Sequence, residues 1–257
     1  MTLRSSVRLA AVYGALFLTA SLAHAGKMSR EATIDRFVAP DGQNYFAVAV
    51  RADNLPAFHG SRVHAILVDT SASQVGEHRT ESFRVLDELL THLKPADSVR
   101  LFAVDSQIRE LTTGAVAVSD AKLRDAVAQL HRQVPLGASN FLQGLSTAAK
   151  AIADAPHADI VYIGDGMSSA RLIKGNEIRD VAAQLRAKRT AVYSFAIGPR
   201  TDIRLLGAIA QQTGGVMLSD NGSGNHAGSE LAKAVYQPVF YPSVVATTIP
   251  GPTGPSR

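Results

Sequence analysis

Four short apolar runs, at 63–68, 99–104, 160–163 and 191–197, are separated by segments whose apolar residues return every three or four positions. The first run is rich in β-branched residues and apolar at every position but His64, as a strand covered on both faces is. Between the runs, Phe83, Leu86, Leu89, Leu90 and Leu93 keep one helical face apolar until Pro95 closes the segment. Leu123, Val127 and Leu130 mark a second helix with Ser119 or Asp120 as its cap. Leu142, Leu145, Ala149 and Ile152 mark a third, and Ile178, Val181, Ala182 and Leu185 a fourth. Ile203, Leu206, Ile209 and Ala210 mark a fifth that ends before Gly214-Gly215, and a weaker sixth covers 230–236. A strand over 45–50 precedes the main unit, and a short one at 216–218 closes it. Such alternation predicts an α/β fold: a doubly wound, mostly parallel central sheet with helices on both faces. Ligands of these sheets collect outside the carboxyl ends of the strands, where Asp69 and Asp165 both fall.

Composition narrows the function classes. Arg4 and Arg8 precede an apolar stretch over 9–22, followed by Ala23-His24-Ala25. Fourteen residues fall short of the ~20 that span a bilayer, so 1–25 reads as an export signal rather than an anchoring helix. The expected organisation is then a signal at 1–25, a segment with one strand at 26–61, the main domain at 62–240 and a Pro/Gly-rich tail or linker at 241–257. The expected location is the periplasm, the cell surface or the medium, with association to the cell envelope possible. Without the signal, 24 basic residues face 22 acidic ones, a balance too even to indicate nucleic acid. The densest basic cluster, Arg186, Lys188 and Arg189, lies where a helix ends and complements its dipole. The absence of cysteine excludes disulfides, thiolate metal sites and cysteine nucleophiles.

Three segments carry the chemistry. Asp69, Ser71 and Ser73 stand at i, i+2 and i+4 directly after the first run, so a loop leaving the sheet turns three oxygen-bearing side chains toward one point. Oxygen donors suit Mg2+, which takes six of them and keeps several waters, and Mn2+, which accepts the same set. Hydroxyls are neutral, so an ion held by them retains positive charge for an anionic partner. The same residues equally suit a turn in which Asp and Ser satisfy backbone donors. Leu136-Gly137-Ala138-Ser139-Asn140-Phe141 places a further hydroxyl before a helix, as ligand or as N-cap, and Ile163-Gly164-Asp165-Gly166 places a second carboxylate after a buried run, as ligand or as turn former. Asp105 also closes a run and reads as a turn residue, while Met167, Ser168 and Ser169 read as rim or plain loop. The histidines lack the helical spacing of a zinc centre, so His92 and His131 read as solvated helix residues. No Gly-x-Gly-x-x-Gly, phosphate loop or Gly-x-Ser-x-Gly elbow occurs, which leaves no small-molecule cofactor and no simple hydrolase.

Taken together, the segments resemble the von Willebrand factor A (VWA) family, whose metal-ion-dependent adhesion site joins an Asp-x-Ser-x-Ser loop to a threonine and an aspartate on two later loops. Asp69, Ser71 and Ser73 fall on the first pattern, and Asp165 on the third. Ser139 falls on the threonine, keeping the hydroxyl and losing a methyl, and Gly164 stands where many members have threonine. Ala196-Ile197-Gly198, Leu206, Ile209-Ala210 and Thr213-Gly214-Gly215 resemble the family's late strand, helix and glycine turn, so the likeness spans about 62–240. The resemblance implies a Rossmann-like fold and an ion, Mg2+ or Mn2+, held by the hydroxyls of Ser71, Ser73 and Ser139. Asp69 and Asp165 would act directly or through waters, and an Asp or Glu of a protein partner would fill the open position. It further implies that the last helix shifts in members that switch. The expected function is an exported metal-dependent binding module without catalysis. Two alternatives stand beside it: a Mg2+-dependent phosphohydrolase using Asp69, with Arg171 as its only nearby cation, and a scaffold whose serines merely stabilise loops.

Overall fold

The computed structural model describes residues 30–40, 42–52, 58–219 and 226–241. The expected export signal and the Pro/Gly-rich stretch lie outside them. The chain divides after Ala57 into two compact units. The first is an antiparallel hairpin of β1 (Arg30–Val38) and β2 (Asn44–Ala52), in register from Arg30 opposite Ala52 to Val38 opposite Asn44. The sequence pattern predicts β2 alone. β1 escapes it because Arg30, Glu31, Asp35 and Arg36 break up its apolar residues.

The second unit is built on a sheet in which β3 (Val63–Asp69), β4 (Ser98–Val104), β7 (Ala158–Gly164), β8 (Ala191–Ala196) and β9 (Met217–Ser219) run parallel. Their order is β4-β3-β7-β8-β9, and two short strands, β5 (Ile108–Glu110) and β6 (Val116–Ala117), pair antiparallel with β4 at its outer edge. Among the described residues six helices flank the sheet: α1 (Glu77–His92), α2 (Ala121–Arg132), α3 (Phe141–Ala151), α4 (Gly175–Ala187), α5 (Ile203–Thr213) and α6 (Ala227–Val235). Among the described residues no helix is long and apolar enough to cross a membrane.

Alternation along β3 explains why its sequence is apolar from Ala65 to Val68. Ile66 and Val68 enter one core with α1, α2 and α6, while Ala65 and Leu67 enter the other with α3, α4 and α5. Both faces are covered, so no position is left for a solvated side chain. Local signals set the helix ends. Asp120 accepts the Lys122 N–H at 2.9 Å and caps α2, and Gly214 closes α5 in the left-handed conformation at φ 85°.

The polar exception in β3 has a structural reason. His64 is wholly buried between two carboxylates, with Nδ1 2.7 Å from Asp159 of the adjacent β7 and Nε2 3.3 Å from Asp97 at the entrance to β4. Asp97 also accepts the Arg62 N–H at 2.8 Å and the hydroxyl of Tyr236, which follows α6. Burial disfavours a charged imidazole, but attraction and hydrogen bonds from Asp159 and Asp97 outweigh it and raise the His64 pKa to about 9. This network ties together the amino ends of three strands and the end of the last helix.

Candidate functional site

β3 and β4 are joined by α1 on one side, after which the chain crosses to β7 on the other side of β3, so the winding of the sheet reverses between β3 and β7. At such a reversal the two loops leaving the strands part and open a crevice. Asp69 is the last residue of β3, and Asp165 directly follows β7. Both are 2% exposed.

The first loop divides its side chains by alternation. Asp69, Ser71 and Ser73 face the crevice in one connected line. The Ser71 N–H donates to Asp69 Oδ1 at 2.8 Å, the hydroxyls of Ser71 and Ser73 lie 3.0 Å apart, and Ser73 donates to Asp165 Oδ2 at 2.6 Å. Thr70, between them, points away and donates its hydroxyl to Asp105 Oδ2 at 3.0 Å. The structure thus brings Asp69, Ser71, Ser73 and Asp165 together. Burial and the neighbouring Asp165 carboxylate raise the Asp69 pKa to about 6, against the hydrogen bonds of Ser71 and Tyr162. Burial also raises that of Asp165.

The fifth predicted residue arrives by backbone contacts. The loop before α3 is stitched to the first loop by Leu136 N–H to Thr70 O at 3.1 Å and Ala72 N–H to Gly137 O at 3.0 Å. It is joined to the third loop by Ser139 N–H to Ser169 Oγ at 2.9 Å and Ala170 N–H to Ser139 O at 3.0 Å. Ser139 does not cap α3, whose N-cap is Asn140 and has no side-chain cap bond. Its hydroxyl is buried with no hydrogen-bond partner among the described residues, a costly state for a polar atom.

Three further residues shape the site that the motif does not announce. Asp105 is more than a turn residue, which corrects the expectation from sequence. Besides the Gln107 N–H of its own turn, its carboxylate takes the Thr70 hydroxyl and the Arg109 guanidinium, and its carbonyl takes the Asn140 N–H at 3.1 Å. It therefore braces the first two loops from beneath. Gln74, almost fully buried, donates to the Ile197 carbonyl at 3.1 Å, linking the first loop to the end of β8.

Tyr162 is the third. Its hydroxyl, fully buried, donates to Asp69 Oδ2 at 2.8 Å and accepts the Gly166 N–H at 3.2 Å. Burial and the two carboxylates push its pKa well above the usual value, which keeps it a donor. Gly164 makes this possible, because a Cβ there would lie 2.4 Å from Asp69 Cβ and 2.6 Å from the Tyr162 hydroxyl oxygen. The glycine and the tyrosine act as a pair: the tyrosine occupies the space that a side chain at 164 would fill, and it supplies the hydroxyl from the next inward position of the same strand. Tyr162→Phe leaves Asp69 short of a donor and the Gly166 N–H unsatisfied. It is expected to lower stability by about 1–3 kcal/mol, read as a shift of the urea midpoint at constant slope.

Among the described residues no Lys or Arg pairs with Asp69 or Asp165. Arg171, the basic residue a phosphohydrolase would need, pairs instead with Glu177 at 2.7 Å. Among the described residues no cluster of three or more His, Asp or Glu stands as a metal centre, so any ion here would rest largely on hydroxyls.

Comparison with known proteins agrees with the fold. The family model described as von Willebrand factor type A domain matches residues 64–218, from β3 into β9. A von Willebrand factor type A protein from Catenulispora acidiphila superposes with a TM-score of 0.62 at 12% identity, over 81% of this chain and 49% of that one. This chain therefore spans about half of that protein's length. An aerotolerance-related membrane protein from Bacteroides fragilis NCTC 9343, with multiple mutations to serine, gives 0.53 at 15% identity over 68% of this chain and 98% of its own. The PilB minor pilin from Streptococcus sanguinis gives 0.53 at 12% identity over 83% and 79%. The family match covers more than half of the chain and makes its main domain, in general terms, an interaction module. With the sheet order, the two cores and the loops at the reversal of winding all in agreement, the chain belongs to the von Willebrand factor type A domain family.

Proposed function

We propose that the crevice between β3 and β7 holds Mg2+ or Mn2+ and that the domain uses it to bind an acidic side chain of another protein, without turnover. The observation that carries this reading is the Ser139 hydroxyl, buried and without a hydrogen-bond partner among the described residues, on a loop joined to the one whose Ser71 and Ser73 hydroxyls run in line to Asp165. Three neutral oxygens and two carboxylates make a hard donor set that suits these ions.

Each residue then has a task. Ser71, Ser73 and Ser139 offer hydroxyl oxygens. Asp69 and Asp165 supply negative charge, directly or through water, and Tyr162 fixes the orientation of the Asp69 carboxylate. Asp105 holds the first loop in place through Thr70. When bound, the ion contributes an open coordination position and the positive charge that a partner's Asp or Glu completes. Binding without catalysis is the reading we favour for this donor set, because among the described residues no Lys or Arg pairs with Asp69 or Asp165, and Arg171 pairs with Glu177. We further assign the domain to the outside of the cytoplasm, on the basic and apolar pattern of residues 1–25.

Thermal unfolding tests the reading. Ligand binding to the native state alone stabilises it by about 2.7 kcal/mol at ~100 times the Kd, so Mg2+ is expected to raise the Tm by several degrees over the chelated protein. Ser139→Ala is expected to raise the chelated protein's Tm slightly, because it removes a buried hydroxyl that makes no bond there, and to reduce the Mg2+ response strongly. Equal Tm values in chelator and in millimolar Mg2+ would leave only the scaffold reading. Metal-dependent turnover of a phosphate ester, lost in Asp69→Asn, would overturn the assignment in favour of an enzyme.

A further inference from the structure

The three loops around the crevice carry an unusual surface. Residues 70–75, 133–140 and 166–173 contain one charged side chain, Arg171, and that one is paired with Glu177. Exposed apolar side chains stand on all three: Val75 at 53%, Val134 at 79%, Leu136 at 73%, Met167 at 40% and Leu172 at 93%. Single exposed apolar residues are ordinary, but several on three loops that meet at one site mark a contact surface. The backbone bonds between the loops hold Leu136 against the first loop and bring the second and third together at Ser139 and Ala170. The rim is thus a fixed feature of the site.

We infer that the partner's acidic residue lies in an otherwise uncharged, apolar segment, received by Leu136, Met167 and Leu172 around the crevice. This rests on the metal reading above and adds the class of partner to it. Charge complementarity decides the occupant. The centre demands one carboxylate, and the three loops offer a second no charge beyond the Arg171–Glu177 pair. A charged flank would lose hydration there without gaining a counter-ion, whereas an apolar flank covers leucine and methionine that water now touches. Residues 242–257 contain no Asp or Glu side chain, so that stretch of the chain does not provide the carboxylate.

The test uses the full chain and two short synthetic peptides, each with a single aspartate, flanked in one by leucine and valine and in the other by serine and lysine. Their binding is followed by fluorescence anisotropy in Mg2+ and in chelator. The apolar-flanked peptide is expected to bind about tenfold or more tightly than the other, in Mg2+ only. The double variant Leu136→Ser/Leu172→Ser, altered at exposed positions, is expected to abolish that preference while keeping the Mg2+ thermal shift of the parent. Equal affinities for the two peptides, unaffected by the double variant while the shift persists, would overturn the partner class and leave the metal reading standing. Absence of the shift itself would remove both. Binding to phosphatidylcholine vesicles or self-association that the double variant abolishes, with neither peptide preferred, would reassign the rim to a membrane or to a second copy of the chain and overturn the inference.

Discussion

Replacing Asp69 by asparagine is expected to stabilise the metal-free protein at neutral pH by about 2–3 kcal/mol while abolishing its response to Mg2+. The expectation follows from the pKa of Asp69, raised from 3.8 to about 6 by burial and by the nearby Asp165. A carboxyl that holds its proton more tightly folded than unfolded favours the fold when protonated. Its ionisation therefore weakens the metal-free protein as pH rises from about 4 through 6, and the penalty is fully present above. Asparagine keeps the shape and the acceptor for the Ser71 N–H and never ionises, although its amide nitrogen cannot accept the Tyr162 hydroxyl, which offsets part of the gain. The gain should accordingly be absent below pH 4 and complete above pH 6, as denaturant melts in chelator at several pH values can show. A site that costs stability when empty and repays it when filled is what a binding function requires. Loss of stability on removing the Asp69 charge would place the loop among structural turns.

The opposite end of the sheet gives the second large effect. Replacing His64 by alanine leaves Asp97 and Asp159 buried without the imidazole between them, and is expected to destabilise by about 3–5 kcal/mol. The pH dependence runs against that of Asp69. The folded pKa of His64, about 9, lies above the ordinary 6.5, so its contribution is whole below about 6.5 and lost as pH rises through 9. Asp97, drawn down to about 2 by hydrogen bonds from His64, Tyr236 and Arg62 that outweigh its burial, contributes above its ordinary 3.8 and fails as pH falls toward 2. Wild-type stability should therefore decline between pH 6.5 and 9, and the decline should be absent in His64→Ala. An equal decline in the variant would separate the alkaline sensitivity from this network. Tyr236 joins α6 to the same carboxylate, so the amide protons of α6 are expected to exchange faster in His64→Ala.

How much of this can be read in the sequence depends on how local the cause is. The parallel strands declare themselves because β3, β4, β7 and β8 are covered on both faces, which forces continuous apolar runs. β5 and β6, three and two residues long, have no periodicity to read and exist through their pairing with β4. The convergence of Asp69, Ser71, Ser73 and Asp165 is legible because strand ends on either side of a winding reversal must be neighbours. Asp105, Gln74 and Tyr162 are not, since each acts through a partner defined only by the packed sheet. Tyr162 left one trace, the glycine two residues later where the family often has a hydroxyl. His64 left another: one polar residue in an apolar run, with Asp97 and Asp159 at equivalent depths before or within the neighbouring strands.

The most direct test of the metal reading is anomalous diffraction from crystals of the full chain equilibrated with Mn2+. A single strong peak in the crevice, within bonding distance of the hydroxyl oxygens of Ser71, Ser73 and Ser139, is the predicted result. A crevice without a peak at saturating Mn2+, with the Ser139 hydroxyl still unpartnered, would contradict it.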